Sequence, residues 1–225
     1  LPAKRSLKVN WSQGASAEIF DSEKILEGYA KVASSRKKRG HVLAQKGDAD
    51  SALQKAHRTY SADYLSDHVY HAQMEPLNAI VAVNPAGDGA EIWAGTQSPT
   101  GAIKEVAQLL GTSPRKIKLH PCFLGGGFGR RSMSDYIVEA AELSKAVRKP
   151  VKLIWSREDD LQYGAFRPMC LQRLDAGVDA DGNLIAWKHS IIGDGRRLLS
   201  SGAKTPYYDI PNQHIEIIGL NHGVR

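Results

Sequence analysis

The apolar positions of this chain change period as the sequence advances, and the changes mark its elements. Ile25, Tyr29 and Val32 recur at helical spacing behind Asp21 and Ser22, either of which can cap a helix, and a second short helix is expected around residues 49–56. From Arg58 the period shortens to two, so that HRTYSADY, NAIVAV and AEIWAG read as strands over residues 57–95, with a turn at Pro85 to Gly89. Ile103, Val106, Leu109 and Leu110 mark one face of a helix over 98–110, closed by Gly111. KIKLHP is a strand, residues 133–147 form a helix with Ile137, Val138, Ala141 and Leu143 toward the core, and VKLIWS behind Pro150 is another strand. Arg157 to Asp160 read as a solvated charged loop. RPMCLQRLDAGV and LIAWKHSII flank Asp181 and Gly182, a strong hairpin signal. Helices lying between strands, with hairpins afterwards, predict an α+β fold of layered mixed sheets and helices. The change of pattern near 56–60 is the candidate boundary. Residues 1–56 are then the tail of a preceding region or a linker with a helix, and 57–225 form part of a larger domain.

Composition narrows the class of protein. The 225 residues are 42% hydrophobic and 24% charged, which excludes a disordered or collagen-like chain. No stretch approaches the roughly 20 apolar residues of a membrane helix, so no membrane span is expected. The chain opens at Leu1 without an export signal and reads as one piece of a longer protein, which leaves bacterial periplasm and cytoplasm equally open. The net charge of +6 lies entirely at one end: residues 1–60 carry twelve Lys and Arg against six Asp and Glu, whereas residues 61–225 carry eighteen of each. Its densest run, Arg36 to Arg39, has no interleaved aromatics to stack bases, so it reads as a solvated loop and no nucleic acid partner is expected. Cys122 and Cys170 lack metal-site or redox spacing and read as two buried thiols; two cysteines cannot hold an iron–sulfur cluster alone. His68, His71 and Glu75 have metal-like spacing, but on a strand they would face different sides, so no metal ligand is assigned.

One segment calls for chemistry. Gly125, Gly126, Gly127, Phe128 and Gly129 place four glycines in five positions, at a heavy cost in backbone entropy, so something approaches this backbone closely. Between a strand and a helix start, successive N–H groups can converge on an anionic or polar ligand; a tight turn without ligand is the alternative. Arg130 stands where a dinucleotide fingerprint needs glycine, and GRRS is not the end of a P-loop.

The motifs TQSP, GGGFGRR and REDD, extended by HAQMEP before them and by YGAFRP and the DADG hairpin after them, resemble the molybdopterin-binding subunits of the xanthine dehydrogenase and aldehyde oxidase superfamily. The isoquinoline 1-oxidoreductase beta-subunit branch is the most similar, over about residues 57–212. The resemblance implies the layered molybdenum-cofactor domain, incomplete here, and a molybdenum–molybdopterin cofactor in its cytosine dinucleotide form. Gln97 matches the glutamine that reaches the oxo group on molybdenum, and it precedes Ser132 by the interval the family shows. Gly126, Gly127, Phe128 and Gly129 match the loop lying against the cofactor, with Glu75 and Pro76 as structural support, and the match at REDD leaves a buried ion pair among Arg157 to Asp160 open beside the loop reading. The general-base glutamate is expected in a C-terminal part absent here, so this piece holds no catalytic residue and is expected to be inactive alone.

The implied activity of the full subunit is insertion of a water-derived oxygen at an electrophilic C–H carbon, with electrons passed to a small subunit carrying 2Fe–2S clusters. Arg130, Arg131 and Ser132 replace the Gly, Lys and Glu of the xanthine-type pattern. Loss of that glutamate points to an aldehyde or N-heteroaromatic substrate, not a purine. The two arginines are open to pairing with phosphate or to surface and subunit-contact roles. A non-catalytic scaffold or assembly domain of the same fold is the alternative function.

Overall fold

The computed structural model describes residues 6–10, 16–35, 40–205 and 207–222. In chain order the elements are α1 (Ser22–Ser34), β1 (His41–Lys46), α2 (Ala49–Lys55), β2 (Arg58–Ser66), β3 (Asn78–Val83), β4 (Ala90–Ala94), α3 (Pro99–Leu110), β5 (Ile117–Pro121), α4 (Asp135–Val147), β6 (Val151–Ile154), α5 (Arg157–Tyr163), β7 (Cys170–Val178), β8 (Leu184–Gly193), α6 (Arg196–Ser200) and β9 (Asn212–Gly219). They sort into two compact units, one of residues up to Val69 together with those from Arg167 onward, the other Tyr70–Phe166. The architecture is α+β.

The first unit is a five-stranded sheet in the order β1-β9-β8-β7-β2. Leu171, Ile192 and Ile218 are cross-strand partners on one face, and α1 covers them with Tyr29, making a small apolar core. Asp21 caps α1 by accepting the Lys24 N–H at 3.2 Å. The β7–β8 hairpin closes on Asp179, which accepts the N–H groups of Asp181 and Asn183, with Gly182 at φ +86°. The expected separate tail is therefore built into the sheet: β1 pairs with β9, and α2 lies against β8. The division between units falls at 69/70 and 166/167, not at 56–60, because sheet pairing over long range overrides the local change of pattern. The basic run Arg36 to Arg39 lies outside the described residues. No helix among the described residues is long and apolar enough to cross a membrane.

The second unit has the sheet order β5-β4-β3-β6. β3 pairs antiparallel with β4 and β6, and β4 runs parallel to β5. α3 joins those two parallel strands, as such a pair requires, and it packs with α4 on one sheet face. Leu77, Ala79, Val81, Ile92, Ala102, Val106, Tyr136, Ile137 and Ala140 are completely or almost completely buried there. Pro99 opens α3 and Gly111, at φ +65°, closes it in the left-handed conformation that only glycine adopts without strain.

Two readings change here. Arg157 to Asp160 are the first turn of α5, closed by a capping box between Ser156 and Asp159. Cys122 is exposed while Cys170 is buried, and both are free thiols.

Candidate functional site

The sheet of the second unit determines where its loops meet. Ala94 and Pro121 are partners at the carboxyl ends of the parallel strands β4 and β5, so the segments 95–98 and 122–134 leave from the same edge, each into a helix. β3 runs opposite to β4, so residues 73–77 enter at that edge as well. The carboxyl end of parallel strands is where open α/β sheets bind ligands.

The glycine loop lies at this edge, and its ends are pinned by side chains. The Glu75 carboxylate accepts the Gly125 N–H at 2.9 Å, and the Gln97 Oε1 accepts the Gly129 N–H at 2.9 Å. Among the described residues, the N–H groups of Gly126, Gly127 and Phe128 between them have no protein acceptor. Three consecutive donors are thus presented by a backbone that turns through positive φ at Gly126 (+95°), Phe128 (+49°) and Gly129 (+99°). Phe128 holds a conformation unfavourable for a residue with Cβ, and its ring is exposed. With Oε1 committed to Gly129, the exposed carboxamide of Gln97 keeps its NH2 as a further donor.

The close approach that requires glycine is made first by the chain itself. A Cβ at Gly125 would strike the Cβ of Glu75, and one at Gly127 would lie 2.6 Å from Gln97 Oε1. The collision foreseen with a ligand is in the first instance a collision with Gln97.

Neither arginine lies at the surface, in contrast to the surface reading, and both guanidinium groups bond to protein groups. Arg130 and Arg131 are both fully buried. Arg130 forms a two-pronged pair with Asp135 (2.8 and 2.5 Å) and lies over Trp155. Burial opposes its charge, but Asp135 outweighs that and raises its pKa above the ordinary arginine value. Arg131 donates to the carbonyl oxygens of Gly95, Gly126, Glu75 and Pro76 and to the Glu75 carboxylate. Burial pushes the Glu75 carboxyl up, yet Asn78, the Gly125 N–H and Arg131 together hold it below the ordinary glutamate value. Arg157 grips the carbonyl oxygens of Gln73 and Met74, and the fully buried Asp160 accepts from Gln73 at 2.8 Å.

The structure thus brings Gln97, Gly126, Gly127, Phe128 and Gly129 together, with Glu75 beneath them. It places His68 in the first unit and His71 and Glu75 in the second, none on a regular strand. No group of three metal-binding side chains occurs among the described residues. Ser132 donates its hydroxyl to the Gly129 carbonyl at 2.5 Å and closes the short 3-10 turn after the loop. Sequence reasoning missed the tie made by Arg131 and the hold of Arg157 on residues 73–74; a charged residue next to glycines reads as surface, because fully buried arginine is rare. The large cavity of the first unit, about 820 Å3, is lined by polar groups that largely satisfy one another, including Lys188 with Asp50 and Ser190 with Glu216, so it shows no comparable array of open donors.

Comparison with known proteins finds relatives along most of the chain. The family model described as a molybdopterin cofactor-binding domain matches residues 34–218. Isoquinoline 1-oxidoreductase subunit beta from Brevundimonas diminuta is 36% identical over 199 residues, which are 85% of this chain and 25% of that protein. A membrane-bound aldehyde dehydrogenase (pyrroloquinoline-quinone) from Gluconacetobacter polyoxogenes is 36% identical over 82% of this chain and 23% of its own length. The chain therefore spans about a quarter of these relatives. Among solved structures, the aldehyde oxidoreductase from Desulfovibrio gigas superposes with a TM-score of 0.67 at 22% identity, over 80% of this chain and 21% of that one.

Proposed function

Because the chain belongs to the molybdopterin cofactor-binding domain family, we propose that its glycine loop and Gln97 form part of the cradle for a molybdenum–molybdopterin cofactor in a longer oxidoreductase. The observation that carries this reading is the row of three unused N–H groups at Gly126, Gly127 and Phe128, flanked by the Gln97 carboxamide. Such donors suit an oxygen-rich, anionic group, and the loop offers it backbone without side chains. When bound, the cofactor supplies oxidation of a C–H carbon with oxygen drawn from water. The residues of this chain hold and orient it: the loop binds through backbone donors, Gln97 donates an N–H toward an oxygen, and Glu75 and Arg131 keep both in register. The base that removes a proton belongs to a part of the full-length protein outside this chain, so the piece by itself turns over nothing. The cytosine dinucleotide form of the cofactor is part of the same proposal.

Molybdenum analysis of the purified full-length protein tests the reading directly. The expected result is about one molybdenum per chain, with pterin released on denaturation. A protein with neither, or with a bound quinone in their place, would show that the domain is a scaffold or serves other chemistry.

The proposed substrate is an aldehyde or an N-heteroaromatic compound. Ser132 supports this, because a hydroxyl closing its own turn offers no carboxylate to a purine. The expected kcat/KM for xanthine is at least about a hundredfold below that for the best aldehyde or isoquinoline-like compound. Comparable values for the two in a steady-state assay would refute the assignment. Electrons left by the reaction require a carrier, and two cysteines cannot ligate a cluster alone, so the carrier lies in another chain or in another part of the full-length protein. The family resemblance makes a small 2Fe–2S subunit the proposed partner.

A further inference from the structure

We infer that Arg131 is the positioning residue of this site: one buried guanidinium that fixes the glycine loop, the Gln97 segment and Glu75 relative to each other. The consequence for cofactor binding rests on the function proposed above; the positioning itself does not. Three chain segments far apart in sequence meet at the sheet edge, and each contributes acceptors to this one side chain. Nη1 reaches the Gly95 carbonyl at 3.1 Å, Nε reaches the Gly126 carbonyl at 3.1 Å, and Nη2 reaches the Glu75 carbonyl and carboxylate, both at 2.9 Å, and the Pro76 carbonyl at 3.2 Å.

The backbone of the same residue completes the tie. The Arg131 carbonyl accepts the Gln97 N–H at 2.9 Å and the Thr96 hydroxyl at 3.0 Å, so residues 95–97 are held from both sides. Gln97 in turn accepts from Gly129, and Glu75 accepts from Gly125. Each of these ties between the walls of the site passes through Arg131 or through a residue bonded to it. The guanidinium suits this work because its donors form a rigid fork; a lysine ammonium has three donors at one point and cannot span Gly95, Gly126 and Glu75 together. Four of the five acceptors are neutral or backbone oxygens, so charge alone does not replace the geometry.

Hydrogen exchange on the full-length protein stripped of cofactor isolates this positioning from any activity. In Arg131→Lys, which keeps the charge opposite Glu75, exchange at the Gln97 and Gly129 amides is expected to rise by at least about tenfold, while the amides of β3 and β4 keep their protection. As a second measurement, Arg131→Ala is expected to regain protection at those two amides on addition of guanidinium ion at concentrations that leave the global fold intact, whereas ammonium does not restore it. Unchanged exchange at Gln97 and Gly129 in Arg131→Lys, or equal rescue of Arg131→Ala by both ions, overturns the inference. If Arg131→Lys does not fold, the comparison of the two ions on Arg131→Ala decides, and failure of guanidinium to restore protection overturns the inference too. Absence of molybdenum from the wild-type protein would sink only the function proposed above, since neither exchange readout requires the cofactor.

Discussion

Replacing Gly127 by Val in the full-length protein is expected to lower its molybdenum content by at least about tenfold while shifting Tm by less than about 3 °C. The asymmetry arises from the contacts of the new side chain. Gly127 does not have positive φ, so its backbone accepts a residue with Cβ without strain. The added Cβ would lie 2.6 Å from Gln97 Oε1 and 2.9 Å from its Cδ, closer than real Cβ contacts, so the carboxamide must move. Gln97 is exposed and carries no part of the hydrophobic core, so the fold loses little. The site loses much, because the Gly129 N–H loses its acceptor and the outward N–H donor of Gln97 changes place. Metal analysis and thermal unfolding on the same preparation check both halves. Retention of stoichiometric molybdenum with normal turnover would show that the loop is only a turn.

The same residues show how much of this site was legible in the sequence. Period and punctuation were sufficient for α3, because Pro99 and Gly111 start and stop it by local chemistry and its apolar stripe is regular. They were sufficient for the β7–β8 hairpin, whose turn is set by Asp179 and Gly182 within a few residues. They failed for β1 and β9, which were not read as strands: His41–Lys46 is only partly buried and becomes a strand by pairing with residues about 170 positions away. The four charged residues Arg157 to Asp160 read as a loop, whereas reciprocal capping by Ser156 and Asp159 starts a helix there. The glycines drew attention to the right segment, and the resemblance of TQSP and GGGFG to a known family singled out Gln97. What no local pattern revealed is that Glu75 and Gln97 are the groups lying against those glycines, since that contact depends on three strand ends emerging at one edge. The burial of Arg131 was hidden for the same reason, because its acceptors come from residues up to 56 positions away. Arg130 finds its acceptor only five positions away, in Asp135, but composition places such residues outside.

Arg130 is expected to separate from Arg131 in a double-mutant cycle with its partner Asp135. Arg130 has no exposed surface, and its guanidinium is satisfied by Asp135, whose side chain is 37% exposed at the start of α4. Removing the carboxylate in Asp135→Leu leaves a buried guanidinium whose Nε already lacks an acceptor among the described residues. The expected destabilisation is about 3 kcal/mol, the low end for breaking a buried pair because water can reach the Asp135 side of the pair. Arg130→Met removes the buried charge instead. It leaves Asp135 partly solvated in the first turn of α4, where the helix dipole favours a carboxylate, so its expected cost is smaller, about 1 kcal/mol. The double replacement Arg130→Met with Asp135→Leu puts apolar groups on both sides and over Trp155, and is expected within about 1 kcal/mol of the wild type. Urea unfolding read through Cm at constant m checks all three. A loss below about 1 kcal/mol in Asp135→Leu would mean that water, not Asp135, satisfies the guanidinium. The double variant is also expected to keep its molybdenum, because the contact of Arg130 with the loop is its backbone N–H to the Gly127 carbonyl, which substitution leaves in place. Loss of the metal from a stable double variant would move Arg130 into the positioning role argued for Arg131.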